Sequence, residues 1–407
     1  MNGSPMPRLA FFADCFREVN GAALTSRQLE AYARRRGAPI LTVHRAKGRR
    51  LRRRSLDGVA RIELPRSPLA FPVDIDLRFD LLFARHLGLL EKTLEGFAPD
   101  VIHVTSPGDL GLAGALLAHR LGVPLVASWH TNLHEFASRR LERCLEMIPS
   151  GARRRLCDLA EASCWSWAVR FYGLARAVFA PNPELAEKLE RAIGRPVYLM
   201  GRGVDTELFR PERRNRVEDG GAFVVGYVGR LTPEKNVRAL RTVEAVLERS
   251  GVQDFRLLVV GDGGEAGWLR RNLRRAVFTG VLRGRRLASA YADMDVFVFP
   301  SRTDAYGNVV QEALASGVPA VVVGAAGPRH IVEHGRTGMV AQDEAELAEA
   351  VVELARKPEL RRRMGREAAF SMQKRSWDEV FDRVWRVYRD VAYAPPAPRR
   401  LGLLFAE

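Results

Sequence analysis

Lysine is scarce in this 407-residue chain: six of its 64 basic residues are Lys (positions 47, 92, 188, 235, 357 and 374) and the rest are Arg. Cysteine is scarce too. Cys15, Cys144, Cys157 and Cys164 form no C-x-x-C pair and have no zinc-type His spacing, which excludes a disulfide-stapled scaffold and reads as reduced thiols. No run approaches the roughly 18 consecutive apolar residues of a membrane span, which excludes a polytopic membrane protein. The opening residues, MNGSPMPRLAFFADC, lack the apolar h-region of about seven or more residues that a signal peptide needs, so the expected location is cytoplasmic. There is no low-complexity tract, and an apolar content of 47% is too high for a disordered chain. A G-x-x-x-x-G-K-[ST] phosphate loop is also missing.

Positive charge is what the chain has in excess: 64 basic against 48 acidic residues, a formal net charge of +16. Arg45, Lys47, Arg49, Arg50, Arg52, Arg53 and Arg54 lie within ten residues that contain no acid. A second run holds Arg270, Arg271, Arg274, Arg275, Arg283, Arg285 and Arg286. Neither run interleaves the aromatics of a single-strand stacking platform, and no nucleic-acid-binding signature is present. An anionic membrane surface therefore ranks above nucleic acid as a partner, with solvated faces and an Arg-rich coding bias as the plain alternative.

The pattern along the chain alternates strands with helices of ten or more residues, which indicates βαβ units and parallel sheets. It does so in two blocks. The first comprises RLAFFAD, a helix from Asn20-Gly21 to Gly37, APILTVHR, a basic loop from Arg45 to Arg54, a strand after Pro99, a helix closed by Gly122, and LVASWH. Residues 134–172 have helical flavour, and RAVFAPNPELAEKLERAIG is a strand running into a helix. The polar stretch RPERRNRVEDGG, 210–221, reads as an interdomain linker. The alternation then restarts at FVVGYVG. The expected fold is α/β with two facing, doubly wound, Rossmann-like domains, 1–209 and 222–375, and a ligand cleft between them. SWDEVFDRVWRVYRDVAY, 376–393, is an amphipathic helix expected to pack back on the first domain, and 394–407 is a tail.

One motif misleads. FRLLVVGDGGEAG places Gly261, Gly263 and Ala266 in dinucleotide-fingerprint spacing after a strand, yet no acid stands between Glu265 and Asp293 to bind a ribose. The glycines read instead as a tight turn close to the backbone of a ligand. The D-x-D at Asp293-Met294-Asp295 reads as a structural turn before the strand VFVFPS.

Three segments carry the chemistry. In VGYVGRLTPEKN, Gly229, Arg230 and Lys235 follow an apolar strand, and a guanidinium fork and an ammonium five residues apart can converge on a polyphosphate. In SRTDAYGNVVQEALASGVPAVV, Gly307, Asn308 and Val309 open a helix whose N-terminus suits an anion. Asp304 precedes that helix, and Glu312 lies within it as a carboxylate suited to a ribose diol. In the first block, Gly21 follows the first strand, and Ser128-Trp129-His130-Thr131 closes another.

The ordered set FREVNGAALT, FAPDVIHVTSPGDLGLAG, ASWHTN, GRGVDTELFRP, VGYVGRLTPEKN, VGDG and YADMDVFVFPSRTDAYGNVVQEALASGVPAVV resembles the retaining nucleotide-sugar glycosyltransferases of family 4, with the two-domain GT-B fold. The likeness runs from about residue 8 to about residue 391. GRGVDTELF and TDAYGNVVQEA resemble the lipid- and mannose-directed branch, the GDP-mannose-dependent α-mannosyltransferases. The resemblance implies a donor GDP- or UDP-sugar, a lipid or glycan acceptor at a membrane surface, and no requirement for a metal or other cofactor; the basic run from Arg45 to Arg54 adds the expectation of peripheral association with the inner face of that membrane. It also implies roles. Gly21 lines the donor diphosphate and His130 contacts the donor sugar. Gly229 accompanies Arg230 and Lys235 on the diphosphate. Asp304 faces the sugar hydroxyls, Glu312 the nucleotide ribose, and the backbone from Tyr306 through Gly307 and Asn308 to Val309 caps sugar and phosphate. His130, Arg230, Lys235 and Asp304 would serve catalysis. Two positions depart from the family pattern: Asp304 stands where Glu is usual, and Tyr306 where Phe is usual, adding a hydroxyl expected to do little. The choice between guanine and uracil rests on the loop near Val277 to Val281. Competing readings are a nucleotide-sugar epimerase, a sugar phosphorylase-like enzyme, and a non-catalytic scaffold of the same fold.

Overall fold

The computed structural model describes residues 6–18, 20–72, 78–130, 150–216, 221–304, 306–324 and 327–393. Thr131, the segment 134–149 and the tail 394–407 therefore lie outside the described residues. The chain forms two compact units. One comprises Met1–Gly201 with Phe381–Glu407, the other Arg202–Val380.

The first unit is built on β1 (Leu9–Ala13), β2 (Ile40–Arg45), β3 (Arg52–Leu56), β4 (Val59–Leu64), the small hairpin β5 (Ala70–Pro72) and β6 (Arg78–Asp80), β7 (Val101–Val104), β8 (Leu125–Ser128), β9 (Ala177–Ala180) and β10 (Val197–Leu199). Its eight-stranded sheet has the order β10-β9-β8-β7-β1-β2-β4-β3. All pairs are parallel except β3 with β4. Every residue of β1, β7, β8 and β9 is buried, as the continuous apolar runs of a sheet covered on both faces require. The helices are α1 (Gly21–Arg36), α2 (Leu87–Phe97), α3 (Asp109–Leu121), α4 (Ser150–Tyr172) and α5 (Pro183–Ile193). Asn20 caps α1 by accepting from the N–H of Ala23 at 2.8 Å, and Arg34, Arg35 and Arg36 face the negative end of the helix dipole.

The basic run is not a single loop. Arg45 ends β2, is 5% exposed, and pairs with Asp109 at 2.5 Å and Asp80 at 3.6 Å. Arg52–Leu56 forms the antiparallel edge strand β3, where exposed Arg side chains discourage edge-to-edge pairing. The surface cations of the run are thus Lys47, Arg49, Arg50, Arg52, Arg53 and Arg54.

The second unit contains β11 (Phe223–Val228), β12 (Phe255–Val260), β13 (Ala276–Gly280), β14 (Val296–Phe299), β15 (Ala320–Val323) and β16 (Gly338–Ala341). All run parallel in the order β13-β12-β11-β14-β15-β16. Around them lie α6 (Ala239–Arg249), α7 (Ala266–Asn272), α8 (Gly284–Ala292), α9 (Asn308–Ala315), α10 (Glu344–Arg356) and α11 (Pro358–Gln373). The stretch expected as a linker belongs to this unit. Arg214 donates to Asp295 at 2.9 Å and to the carbonyls of Ala292 and Met294, while the N–H of Asn215 reaches Asp293 at 2.7 Å. The same Asp295 accepts from the N–H of Val224. These contacts anchor Arg214 and Asn215 to the second unit, and the chain changes units earlier, after Gly201. The D-x-D carboxylates are occupied by the chain itself, as a structural turn demands.

The last helix, α12 (Trp377–Tyr393), crosses the second boundary. In the second unit Gly203 lies against the Trp377 backbone, and the N–H of Val204 donates to the Arg375 carbonyl at 3.0 Å. In the first unit Phe381 and Trp385 pack on Tyr32, whose hydroxyl donates to Asp382.

Candidate functional site

In the second unit the site is built at the carboxyl ends of β11 and β14, where ligands of parallel sheets bind. Beyond β11, Gly229 and Arg230 begin a loop held by backbone contacts. The N–H of Gly229 donates to Val260, and that of Leu231 to Asp262. This explains the misleading glycines. A Cβ on Gly261 would lie 1.9 Å from the Gly229 carbonyl oxygen, and one on Gly263 would lie 2.4 Å from that of Leu231. Their bare backbones accommodate the chain's own 229–231 loop rather than a ligand, and so set the position of Arg230. The turn Pro233–Lys235 follows, closed by Asn236 in the left-handed conformation. Asn236 donates to Glu344 at 2.8 Å.

Lys235 Nζ donates to Asp304 Oδ1 at 2.5 Å, which joins the two loops. The second oxygen of Asp304 is buried and, among the described residues, accepts no hydrogen bond. Arg230 approaches Glu234 at 3.7 Å and keeps 36% of its side chain exposed. The Thr303 hydroxyl ties the loops again, donating to the Glu234 carbonyl at 3.3 Å. Arg230 and Lys235 are therefore cations already partnered by carboxylates, each with part of its side chain open.

Gly307 starts α9 at φ 113°, a conformation that favours glycine, and a Cβ there would press on Pro328 at 3.1 Å. No side chain caps this helix, and Asn308 and Val309 are half-buried in its first turn. Within α9, Glu312 is half-buried and accepts from the Tyr291 hydroxyl at 2.8 Å. Burial pushes the Glu312 carboxyl up to about 7, against a smaller downward pull from Tyr291.

The Tyr306 hydroxyl does more than expected. It accepts from Gln311 Nε2 at 3.0 Å and donates to the Arg202 carbonyl at 3.4 Å; the same Gln311 nitrogen also reaches that carbonyl, at 3.0 Å. Burial pushes the phenol up, so it keeps its proton. A Phe at this position would leave Gln311, which is fully buried, with one fewer partner. Val277 lies on the edge strand β13 and is 49% exposed, and Val281 just beyond it is 59% exposed.

In the first unit Gly21 is the first residue of α1, and its carbonyl accepts from the Thr25 hydroxyl. His130 follows β8, with Nε2 2.7 Å from Ser128 Oγ. Ser128 is fully buried and its hydroxyl also meets His103 Nε2 at 2.9 Å. Sequence reasoning missed Tyr291, Gln311, Arg202 and His103, and it named Ser128 only within the segment that holds His130. One signal was present: His103 interrupts the apolar strand VIHV, where a buried imidazole needs polar partners.

Among the described residues no helix is long and apolar enough to cross a membrane, and no group of three or more His, Cys, Asp or Glu is placed to hold a metal ion.

Two parallel-sheet units, with cations and a helix N-terminus gathered at the strand ends of the second, define the GT-B class of glycosyltransferases. Residues 19–208 match the family described as Glycosyltransferase Family 4, and residues 222–357 match Glycosyl transferases group 1. The chain is 36% identical over 396 residues to a GDP-mannose-dependent alpha-mannosyltransferase of Mycobacterium tuberculosis, covering 94% of this chain and 97% of that one. It is 35% identical to a protein of the same name from Mycolicibacterium smegmatis, with the same coverage. Among solved structures it resembles a sucrose-phosphate synthase from Thermosynechococcus elongatus, with TM-score 0.72, 18% identity, and coverage of 95% of this chain and 99% of that one. The chain belongs to glycosyltransferase family 4.

Proposed function

We propose that the protein transfers mannose from GDP-mannose to a hydroxyl of a lipid or glycan acceptor, forming an α-linkage with retention. The observation that carries this reading is the identity of 35–36%, end to end, with relatives named for that activity. The geometry of the second unit supports it. Arg230 and Lys235 follow β11, and the Lys235–Asp304 contact joins their loop to the segment that leads into α9, a set of charges suited to a nucleoside diphosphate. Glu312 takes the ribose diol. The unpartnered, buried Oδ2 of Asp304 takes a sugar hydroxyl, a donor that would satisfy it.

In this reading the bond from the anomeric carbon to the diphosphate oxygen breaks while the bond from that carbon to the acceptor oxygen forms on the same face. The acceptor proton passes to the departing phosphate. Arg230, Lys235 and the α9 N-terminus stabilise the charge gathering on the leaving group without a metal, the kind of fixed electrostatic aid that dominates such steps. Gly21 and His130 take the roles that the family resemblance implies, at the diphosphate and at the sugar.

The acceptor side adds a surface. Lys47, Arg49, Arg50, Arg52, Arg53 and Arg54 are exposed and uninterrupted by acid, a composition suited to peripheral binding on an anionic leaflet. Thermal-shift and calorimetric titration with GDP, GDP-mannose, UDP and UDP-glucose test the donor assignment. Preference for the guanine nucleotides supports it, and preference for the uridine nucleotides overturns it.

A further inference from the structure

We infer that Tyr388, His103 and Ser128 form a hydrogen-bonded chain that holds neutral His130 in a single tautomer, with its proton on Nδ1, so that His130 serves transfer as a hydrogen-bond donor and not as a base. The inference rests on the assignment of His130 to the transfer site above. All four residues belong to the first unit.

The sequence sets the chain up. His103 lies on β7, opposite Phe11 of β1 and Val126 of β8, and Ser128 ends β8 two residues before His130. Tyr388 comes from α12, far along the chain. Tyr388, His103 and Ser128 are all fully buried, and the His103 ring is enclosed by Phe11, Phe179 and Tyr388. The distances run 2.6 Å from Tyr388 Oη to His103 Nδ1, 2.9 Å from His103 Nε2 to Ser128 Oγ, and 2.7 Å from Ser128 Oγ to His130 Nε2.

Proton inventory gives the chain a direction. Burial drives the His103 imidazole down to about 3, so the ring is neutral and carries one N–H. Burial raises the Tyr388 phenol, which keeps its proton. Among the described residues His103 is the one hydrogen-bond partner of the Tyr388 hydroxyl. If His103 Nδ1 carried the ring proton and donated to Tyr388, the phenolic O–H would be left buried with no acceptor, a costly arrangement that native interiors avoid. The opposite direction satisfies every group. Tyr388 donates to Nδ1 of His103, Nε2–H of His103 donates to Ser128 Oγ, and the Ser128 O–H donates to Nε2 of His130.

The consequence falls on His130. A neutral imidazole has one lone pair on its ring nitrogens. Here Ser128 occupies it, leaving no basic nitrogen to take a proton from an acceptor hydroxyl. The proton on Nδ1 makes the ring a donor to oxygen, and the Ser128 hydrogen bond at Nε2 restrains its orientation. Ser128, His103 and Tyr388 are positioning residues. Their arrangement agrees with a transfer in which the departing phosphate, not a side chain, receives the acceptor proton.

The test is long-range ¹H–¹⁵N correlation on the full chain labelled with ¹⁵N-histidine, with His130→Gln assigning the His130 signals. The expected wild-type pattern is a protonated Nδ1 and an unprotonated Nε2 at His130. Tyr388→Phe, which preserves the ring and its packing, removes the terminal donor and introduces the second tautomer. Ser128→Ala does the same and lowers kcat by about 10–100-fold, the range seen when partners that orient an imidazole are removed. KM for GDP-mannose stays within about twofold, because the nucleotide contacts lie elsewhere, and Ser128→Thr restores both spectrum and kcat. A wild-type His130 protonated on Nε2, or a His130 spectrum indifferent to Ser128→Ala, overturns the inference. The spectrum needs no donor, so the expected tautomer in a protein that transfers no sugar overturns the transferase reading alone and leaves the relay standing.

Discussion

Lys235 and Asp304 meet at 2.5 Å although 69 residues separate them, and their contact clasps the loops after β11 and β14. The pair is mostly buried, with 15% and 20% of the side chains exposed. Truncating either member leaves the other charge without its partner, so each single change is expected to disturb both the diphosphate and the sugar contacts proposed above. Lys235→Ala and Arg230→Ala are each expected to lower kcat by about 10²–10³ with the fold intact, the usual cost of losing one fixed stabiliser of transition-state charge. Steady-state kinetics with circular dichroism check this. In a double-mutant cycle, Lys235→Ala and Asp304→Asn are expected to be non-additive, because they share one contact.

Glu312, proposed to hold the ribose diol, is expected to confer a pH dependence on donor binding. Its carboxyl is raised to about 7 by burial, so it is largely protonated below that pH and cannot accept both ribose hydrogen bonds. Calorimetry is expected to show GDP affinity falling as the pH drops from 8 to 6, and Glu312→Gln is expected to bind weakly and without that dependence.

The same shift bears on stability, and its sign is definite. Because the folded carboxyl holds its proton more tightly than the unfolded one, its contribution is fully present below the unfolded value of 4.5 and is lost as pH rises through about 7. Asp14 acts in the same sense: burial chiefly, with Asp109 nearby, raises it to about 7. The imidazoles of His103, His44 and His86, lowered chiefly by burial, act in the opposite sense, so the expected reading is a difference: in thermal melts of the ligand-free protein, Tm of the wild type falls relative to that of Glu312→Gln between pH 5 and pH 8. The difference reaches at most about 3 kcal/mol at pH 8.

Gly261→Ala is expected to displace the 229–231 loop, since the new Cβ would lie 1.9 Å from the Gly229 carbonyl oxygen at a backbone φ of 138°. The cost is on the order of 1–3 kcal/mol of stability, with loss of GDP binding because Arg230 moves. Gly264→Ala is the control, because nothing lies within 4 Å of its Cβ. Chemical denaturation and GDP titration of both variants check the contrast.

Replacing Lys47, Arg49, Arg50, Arg52, Arg53 and Arg54 with Ser is expected to abolish salt-sensitive flotation with anionic vesicles, each charge contributing about 1 kcal/mol near the surface. Arg45 is excluded from that set. Its buried pairing with Asp109 and Asp80 makes Arg45→Ser a lesion of the fold, read as a lowered Tm and not as lost lipid binding.

What the sequence made legible was local. The alternation of apolar strands with capped helices is written in consecutive residues, and so is the run from Asp304 through Gly307 to Glu312. Lys235 stood out by its scarcity. The hidden features depend on residues distant in the chain. Nothing near Gly261 says that the backbone it admits is that of Gly229. Nothing near Arg45 says that Asp109 buries it while its neighbours stay in water. The polar stretch after Arg210 reads as a linker until Asp293 and Asp295 bind it. The Tyr306 hydroxyl looks dispensable until Gln311 and the Arg202 carbonyl converge on it.

The most direct measurement is transfer itself. GDP-[¹⁴C]mannose is incubated with the protein and vesicles of bacterial polar lipid, with UDP-[¹⁴C]glucose in a parallel reaction, and the anomeric configuration of the product is read by NMR. The account predicts mannose in the lipid-extractable or glycan fraction, α-linked, and absent with Lys235→Ala. Label that stays in the nucleotide sugar while glucose is transferred, or a β-linked product, would contradict it.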